Sequence, residues 1–67
     1  MRVQWYYSNG CSWIPLEKHT QNILESLWAI NSSTFIQSDD FKDVVYVNMT
    51  NMCIVHKNSS YTIARTA

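Results

Sequence analysis

An α+β domain, with one helix packed on an antiparallel sheet of about six strands, is the fold this sequence predicts. Three observations predict it. Short stretches alternate apolar and polar side chains at strand period, from residues 2–7 near the start to 61–65 near the end. One segment between them, 20–29, switches to helical period. The order of two strands, one helix and about four more strands segregates the helix, which must then cover one face of the sheet.

Each element follows from its residues. In 2–7, Val3, Trp5 and Tyr7 take one face and Arg2, Gln4 and Tyr6 the other. Ser8-Asn9-Gly10 turns the chain, because Asn and Gly tolerate positive φ. A second strand, 12–16, sets Trp13 opposite Ile14 and Leu16, and Pro15 confines it to an edge or a strand end. Thr20 is the expected N-cap of a helix running to about Ala29. Its apolar stripe is Ile23, Leu24, Leu27 and Trp28, with Gln21, Asn22, Glu25 and Ser26 flanking or opposing it. Asn31-Ser32 ends the helix. Residues 34–37 form a strand, Ser38-Asp39-Asp40 a turn, and 43–49 the strongest strand, with Val44, Val45, Tyr46 and Val47 in succession. A last hairpin joins 53–56 to 61–65 across Lys57-Asn58-Ser59-Ser60. Gly and Pro occur once each, so most turns must use other residues. The expected core is Trp5, the helix stripe, Val45 and Val47.

Composition bounds the function. Sixty-seven residues make one domain, 1–67, and a chain this short buries only roughly 60% of its unfolded surface. An apolar share of 46% against 15% charged supports a packed fold rather than disorder. Net charge is zero and the five Lys and Arg are scattered, which argues against a general nucleic-acid binder or an acidic-membrane binder. No apolar run approaches the roughly 18 residues of a membrane-spanning helix. The N-terminus does not read as a signal peptide, since Gln4 and Ser8 interrupt any apolar region.

Several chemistries are weighed and set aside. Cys11, Cys53, His19 and His56 contain no close Cys or His pair, so a zinc site is not expected. A Cys–His nucleophile lacks an orienting third group, and no catalysis, metal or cofactor is expected. The two cysteines are expected to be reduced, as so low a cysteine count implies. One alternative runs the other way. Asn31-Ser32-Ser33, Asn48-Met49-Thr50 and Asn58-Ser59-Ser60 match the N-glycosylation pattern, which suits a secreted, glycosylated β-rich domain with Cys11 joined to Cys53.

Four segments together carry a resemblance. They are Trp5-Tyr6-Tyr7 with Gly10 and Trp13-Ile14-Pro15-Leu16; Leu24-Glu25-Ser26-Leu27-Trp28; 43–49; and Asn51-Met52. In this order and at this spacing they resemble the WWE domain, named for two Trp and one Glu, over nearly the whole chain. The resemblance implies a half-open sheet around one helix and binding of iso-ADP-ribose, the internal unit of poly(ADP-ribose). It also implies an intracellular parent carrying an ADP-ribosyltransferase or ubiquitin-ligase domain, from which this domain is excised. Tyr6, Trp13 and Tyr46 match the aromatic pocket positions, while Trp5 and Glu25 read as structural.

Two positions depart from the family pattern. Ile54 stands where binding members place a Gln, and Tyr61 where they place an Arg ahead of the Ile of the final strand. Arg65, Lys57, His56 and Arg2 are the groups able to replace the missing cation. The expected ligand site is therefore Tyr6, Trp13, Tyr46, Tyr61 and Arg65, on a monomer that binds ADP-ribose or poly(ADP-ribose) with weakened affinity. The rival expectation is a degenerate domain of the same kind serving as a protein-interaction or scaffolding module.

Overall fold

A computed structural model describes residues 3–66. Six antiparallel strands and one helix follow the expected order: β1 (Gln4–Ser8), β2 (Trp13–Pro15), α1 (Lys18–Ala29), β3 (Thr34–Ser38), β4 (Asp43–Asn48), β5 (Cys53–His56) and β6 (Ser59–Thr66). They form one open sheet in the order β2-β1-β6-β5-β4-β3, with the α+β architecture that the periodicity predicts.

The longest strand sets the shape of the sheet. The first half of β6 pairs with β5, from Ser59 opposite His56 to Thr62 opposite Cys53. Its second half pairs with β1, from Ile63 opposite Tyr7 to Thr66 opposite Gln4. The two neighbours of β6 are thus offset along its length, and this offset governs which outward side chains can meet.

One face of the sheet packs on the helix. Trp5, Leu16, Leu24, Val45, Val47, Met49, Ile54 and Ile63 form the core, with Leu27 packed partly against it. Trp5, Leu24, Val45 and Val47 stand as expected. Trp28 does not: it is 43% exposed, because it sits in the last helical turn, under a guanidinium rather than under the sheet. Ile23 is half-buried. The side chain that takes its place is Thr20, fully buried with its hydroxyl 3.4 Å from that of Ser38. Thr20 is therefore not the N-cap. The helix starts at Lys18 with Glu17 at the cap, where the Glu17 side chain makes no cap bond but its amide donates to Asp40 Oδ1 at 2.8 Å.

The C-terminus of the helix is closed as the sequence predicts. Asn31 adopts φ 51°, Asn31 N–H donates to Trp28 O at 3.1 Å, and Ser32 N–H donates to Leu27 O at 2.9 Å. These are the paired bonds of a Schellman closure. Elsewhere the shortage of glycine shows: Lys42, Met52 and Lys57 all occupy the left-handed region at turns, with φ of 55°, 53° and 55°. The final hairpin is tighter than expected, with Lys57 and Asn58 alone between paired His56 and Ser59.

Candidate ligand-binding site

Alternation along β1 sends Trp5 to the core and Tyr6 to the outer face. Tyr6 lies opposite Ala64 on one side and Pro15 on the other, while Trp13 lies opposite Ser8. Tyr6 and Trp13 therefore share the outer face, and with Ala64 and Thr66 they line a hollow of about 320 Å³. Trp13 is 54% exposed, a large apolar surface left in water. Ala64, the smallest of the four, adds little bulk to the lining, and Tyr6 is half-buried. The hollow is at the small end of the range for ligand sites, roughly 300–1,000 Å³.

The hairpin tip beside Trp13 is held by Asn9, whose Oδ1 accepts from the amides of Cys11 at 2.9 Å and Ser12 at 2.8 Å. Gly10 takes φ 97° with open space about it. That clamp fixes the approach of β2 to β1, and with it the position of Trp13.

The other three expected site residues lie elsewhere. Tyr46 is on the outer face, but on β4, opposite Val55. Three strand spacings, about 14 Å, separate it from β1, and the offset along β6 adds to that. It packs instead on Phe35, ring centroids 5.0 Å apart. Tyr61 pairs with Ile54 and points to the opposite, helix-side face, in contact with Tyr7 at 5.9 Å and Phe41 at 5.1 Å. Ile54 itself is fully buried, so it faces the core and not a ligand.

Arg65 is opposite Trp5 and also turns to the helix side. Its Nε and Nη2 donate to Glu25 at 2.9 and 2.8 Å, and its guanidinium lies 3.8 Å from the centre of the Trp28 ring. Those bonds, and that of Trp5 Nε1 to Glu25 at 2.9 Å, hold the carboxyl down to about 2, while the guanidinium is raised by its bond to Glu25. A side chain so engaged is no rim cation for a hollow on the other face. Of the remaining candidates, Lys57 is exposed in its turn and His56 Nε2 sits 3.1 Å from Asp43 on the helix side. Arg2 lies outside the described residues.

A larger groove, about 510 Å³, runs between the start of the helix and β1. Gln21 splices its walls, donating to Leu16 O at 2.6 Å and accepting from Trp5 N–H at 3.0 Å. With Glu25 also engaged, its central polar atoms join helix to sheet, and the groove offers a ligand less than the exposed Trp13 ring across the sheet.

Among the described residues no group of three or more His, Cys, Asp or Glu could hold a metal ion, and no helix is long and apolar enough to cross a membrane. Cys11, exposed at the hairpin tip, and Cys53 on β5 are both free thiols. Sequence reasoning placed Tyr6, Trp13 and Tyr46 on one face but missed Ala64 and Thr66, whose only signal is their register on β6. In comparisons with known proteins, the chain matches no family model and no curated sequence.

Proposed function

We propose that this chain is a non-catalytic recognition domain of the WWE kind, whose Tyr6–Trp13 hollow binds the adenine of an ADP-ribose unit. The observation that carries the reading is Trp13, 54% exposed and lining one hollow with Tyr6 and Ala64. Stacking of a base on an aromatic ring contributes ~1–3 kcal/mol, and two rings about one hollow fit a single flat heterocycle. The Trp, Tyr and Glu spacing adds the family expectation, including a larger intracellular parent that carries the catalysis.

The test is protein-detected NMR with ADP-ribose. Shifts should concentrate at Tyr6, Trp13, Ala64 and Thr66 and vanish in Trp13→Ala, which alters an exposed side chain. Shifts centred on the helix-side groove, or none, would end the proposal.

A second reading rests on a different patch. Phe35, 68% exposed, and Val44, 52% exposed, lie with Tyr46 on the outer face of β3 and β4, at an open sheet edge. An apolar edge strand without Lys or Pro suits pairing with another protein's strand. Failure of every adenine ligand, with protein capture abolished by Phe35→Asp, would favour this scaffolding reading.

A further inference from the structure

We infer that a second copy of this chain pairs with β3, edge to edge and antiparallel, to give a two-fold dimer. The inference rests on the edge-pairing reading above and names its partner. The two edges of the sheet differ. β2 has three residues and ends in Pro15, which carries no amide hydrogen for a ladder, so that edge is blunted. β3 has five residues, Thr34-Phe35-Ile36-Gln37-Ser38, with no charge and no proline, and it pairs with β4 residue for residue, without a bulge. Among the described residues nothing pairs with its outer side. Residues 1–2 and 67 adjoin β1 and β6, four and three strand spacings away, about 19 and 14 Å, which is further than so little chain reaches. The strand is also held ready at both ends. Ser33 Oγ accepts from the Met49 amide at 2.8 Å. The buried Ser38 hydroxyl lies 3.4 Å from that of Thr20 and donates to Asp40 at 3.3 Å.

The strand complements itself. Pairing centred on Ile36 sets Ile36 against its own copy, Phe35 against Gln37 and Thr34 against Ser38. The two Phe35 rings then lie diagonally on the outer face, roughly 7–8 Å apart at the backbone and within reach of one another. Each is 68% exposed in the single chain. Asp39 and Asp40 of one copy meet Ser33 and Ser32 of the other, whereas a parallel arrangement would set the two acidic pairs together. Such a contact is isologous and uses up the unblunted edge, so assembly stops at two, bounded by a β2 on either side. A five-residue strand with its flanking side chains falls below the roughly 1,200 Å² of stable interfaces, so the dimer is weak and forms as concentration rises.

Sedimentation equilibrium from about 10 µM to about 1 mM tests this, with isotope-filtered NMR on mixed labelled and unlabelled protein. The expected result is a monomer that becomes a dimer over this range, with contacts from Ile36 of one copy to Ile36 of the other. Phe35→Lys and Gln37→Lys alter exposed side chains and put a lysine on the edge. Each should raise the dissociation constant about tenfold or more. A monomer at every concentration overturns the inference, as does growth beyond a dimer or association that both lysine variants leave unchanged. If the monomeric chain still captures another protein, and Phe35→Asp abolishes capture, the second-copy inference fails while the scaffolding reading stands. If it neither self-associates nor captures protein, both fail.

Discussion

Arg65 and Glu25 meet face to face across the seam between the last strand and the helix, forty residues apart in sequence, through two parallel hydrogen bonds of 2.9 and 2.8 Å. The same carboxylate accepts from the indole of Trp5 at 2.9 Å. One helical acid thus ties β1, β6 and α1 together at the edge of the core.

That junction makes stability depend on pH. Glu25 titrates near 4.5 in an unfolded chain and near 2 in the fold, pulled down first by its bond to Arg65 and then by Trp5. A depressed carboxyl adds stability that is complete above 4.5 and disappears as pH falls towards 2. Asp43 is lowered too, by the Val44 amide and by His56, and works in the same direction. Chemical denaturation should therefore show midpoints that drop as pH falls through this window. Glu25→Gln, which keeps an acceptor for Trp5, should flatten much of the drop. An unchanged slope in that variant would show that the pair contributes nothing to folding.

Trp5 is the residue whose loss the fold should tolerate least. It is fully buried, and its indole N–H, backbone N–H and carbonyl bond Glu25, Gln21 and Leu16 respectively. Trp5→Ala should cost ~3–5 kcal/mol, the whole margin of so small a domain. Trp5→Phe should keep the fold with a lower midpoint. Circular dichroism melts of both check this, and a cooperative Trp5→Ala melt at the parent temperature would overturn the core assignment.

Lys57 holds φ 55° in an exposed turn. A side chain in the left-handed region costs about 1–2 kcal/mol, and glycine returns roughly 0.5–1 of that as unfolded-chain entropy. Lys57→Gly should thus gain about 0.5–1 kcal/mol, a rise in Tm of a few degrees. A fall would mean that the lysine side chain makes a contact that outweighs its strain.

How much was legible can be judged from β1 and β6. Period-two alternation placed Trp5 inside and Tyr6, Trp13 and Tyr46 outside, and each stands there. Alternation says which face a residue takes, not which neighbour it meets. That depends on register, and the half-and-half pairing of β6 with β5 and β1 leaves no local sequence signal. So the resemblance gathers Tyr46, Tyr61 and Arg65 into one pocket with Tyr6 and Trp13, whereas Tyr46 lies three strands from β1 and Tyr61 and Arg65 turn to the helix side. The helix stripe erred for a related reason: period shows which residues share a side of the helix but not where the sheet beneath it stops, and Trp28 lies past that point. Thr20 read as a cap because hydroxyls are common there, yet its partner Ser38 lies eighteen residues away.

The position that separates family analogy from this fold is Ile54. By the WWE pattern a Gln belongs there, and Ile54→Gln would be the obvious change to restore a lost ligand contact. The structure predicts the reverse. Ile54 is fully buried, opposite Val47 on one side and Tyr61 on the other, on the face that carries Trp5. An amide at that site loses about 1.5–3 kcal/mol of apolar burial and adds about 1–3 kcal/mol for unpaired polar atoms. The sum approaches the stability of the whole domain, so an I54Q variant should be largely unfolded or melt far below the parent, with no gain for any adenine ligand. Thermal melts followed by titration with ADP-ribose decide it. An I54Q variant that melts like the parent and binds ADP-ribose more tightly would mean that β5 presents this residue to the ligand, and the core register drawn here for β4, β5 and β6 would have to be abandoned.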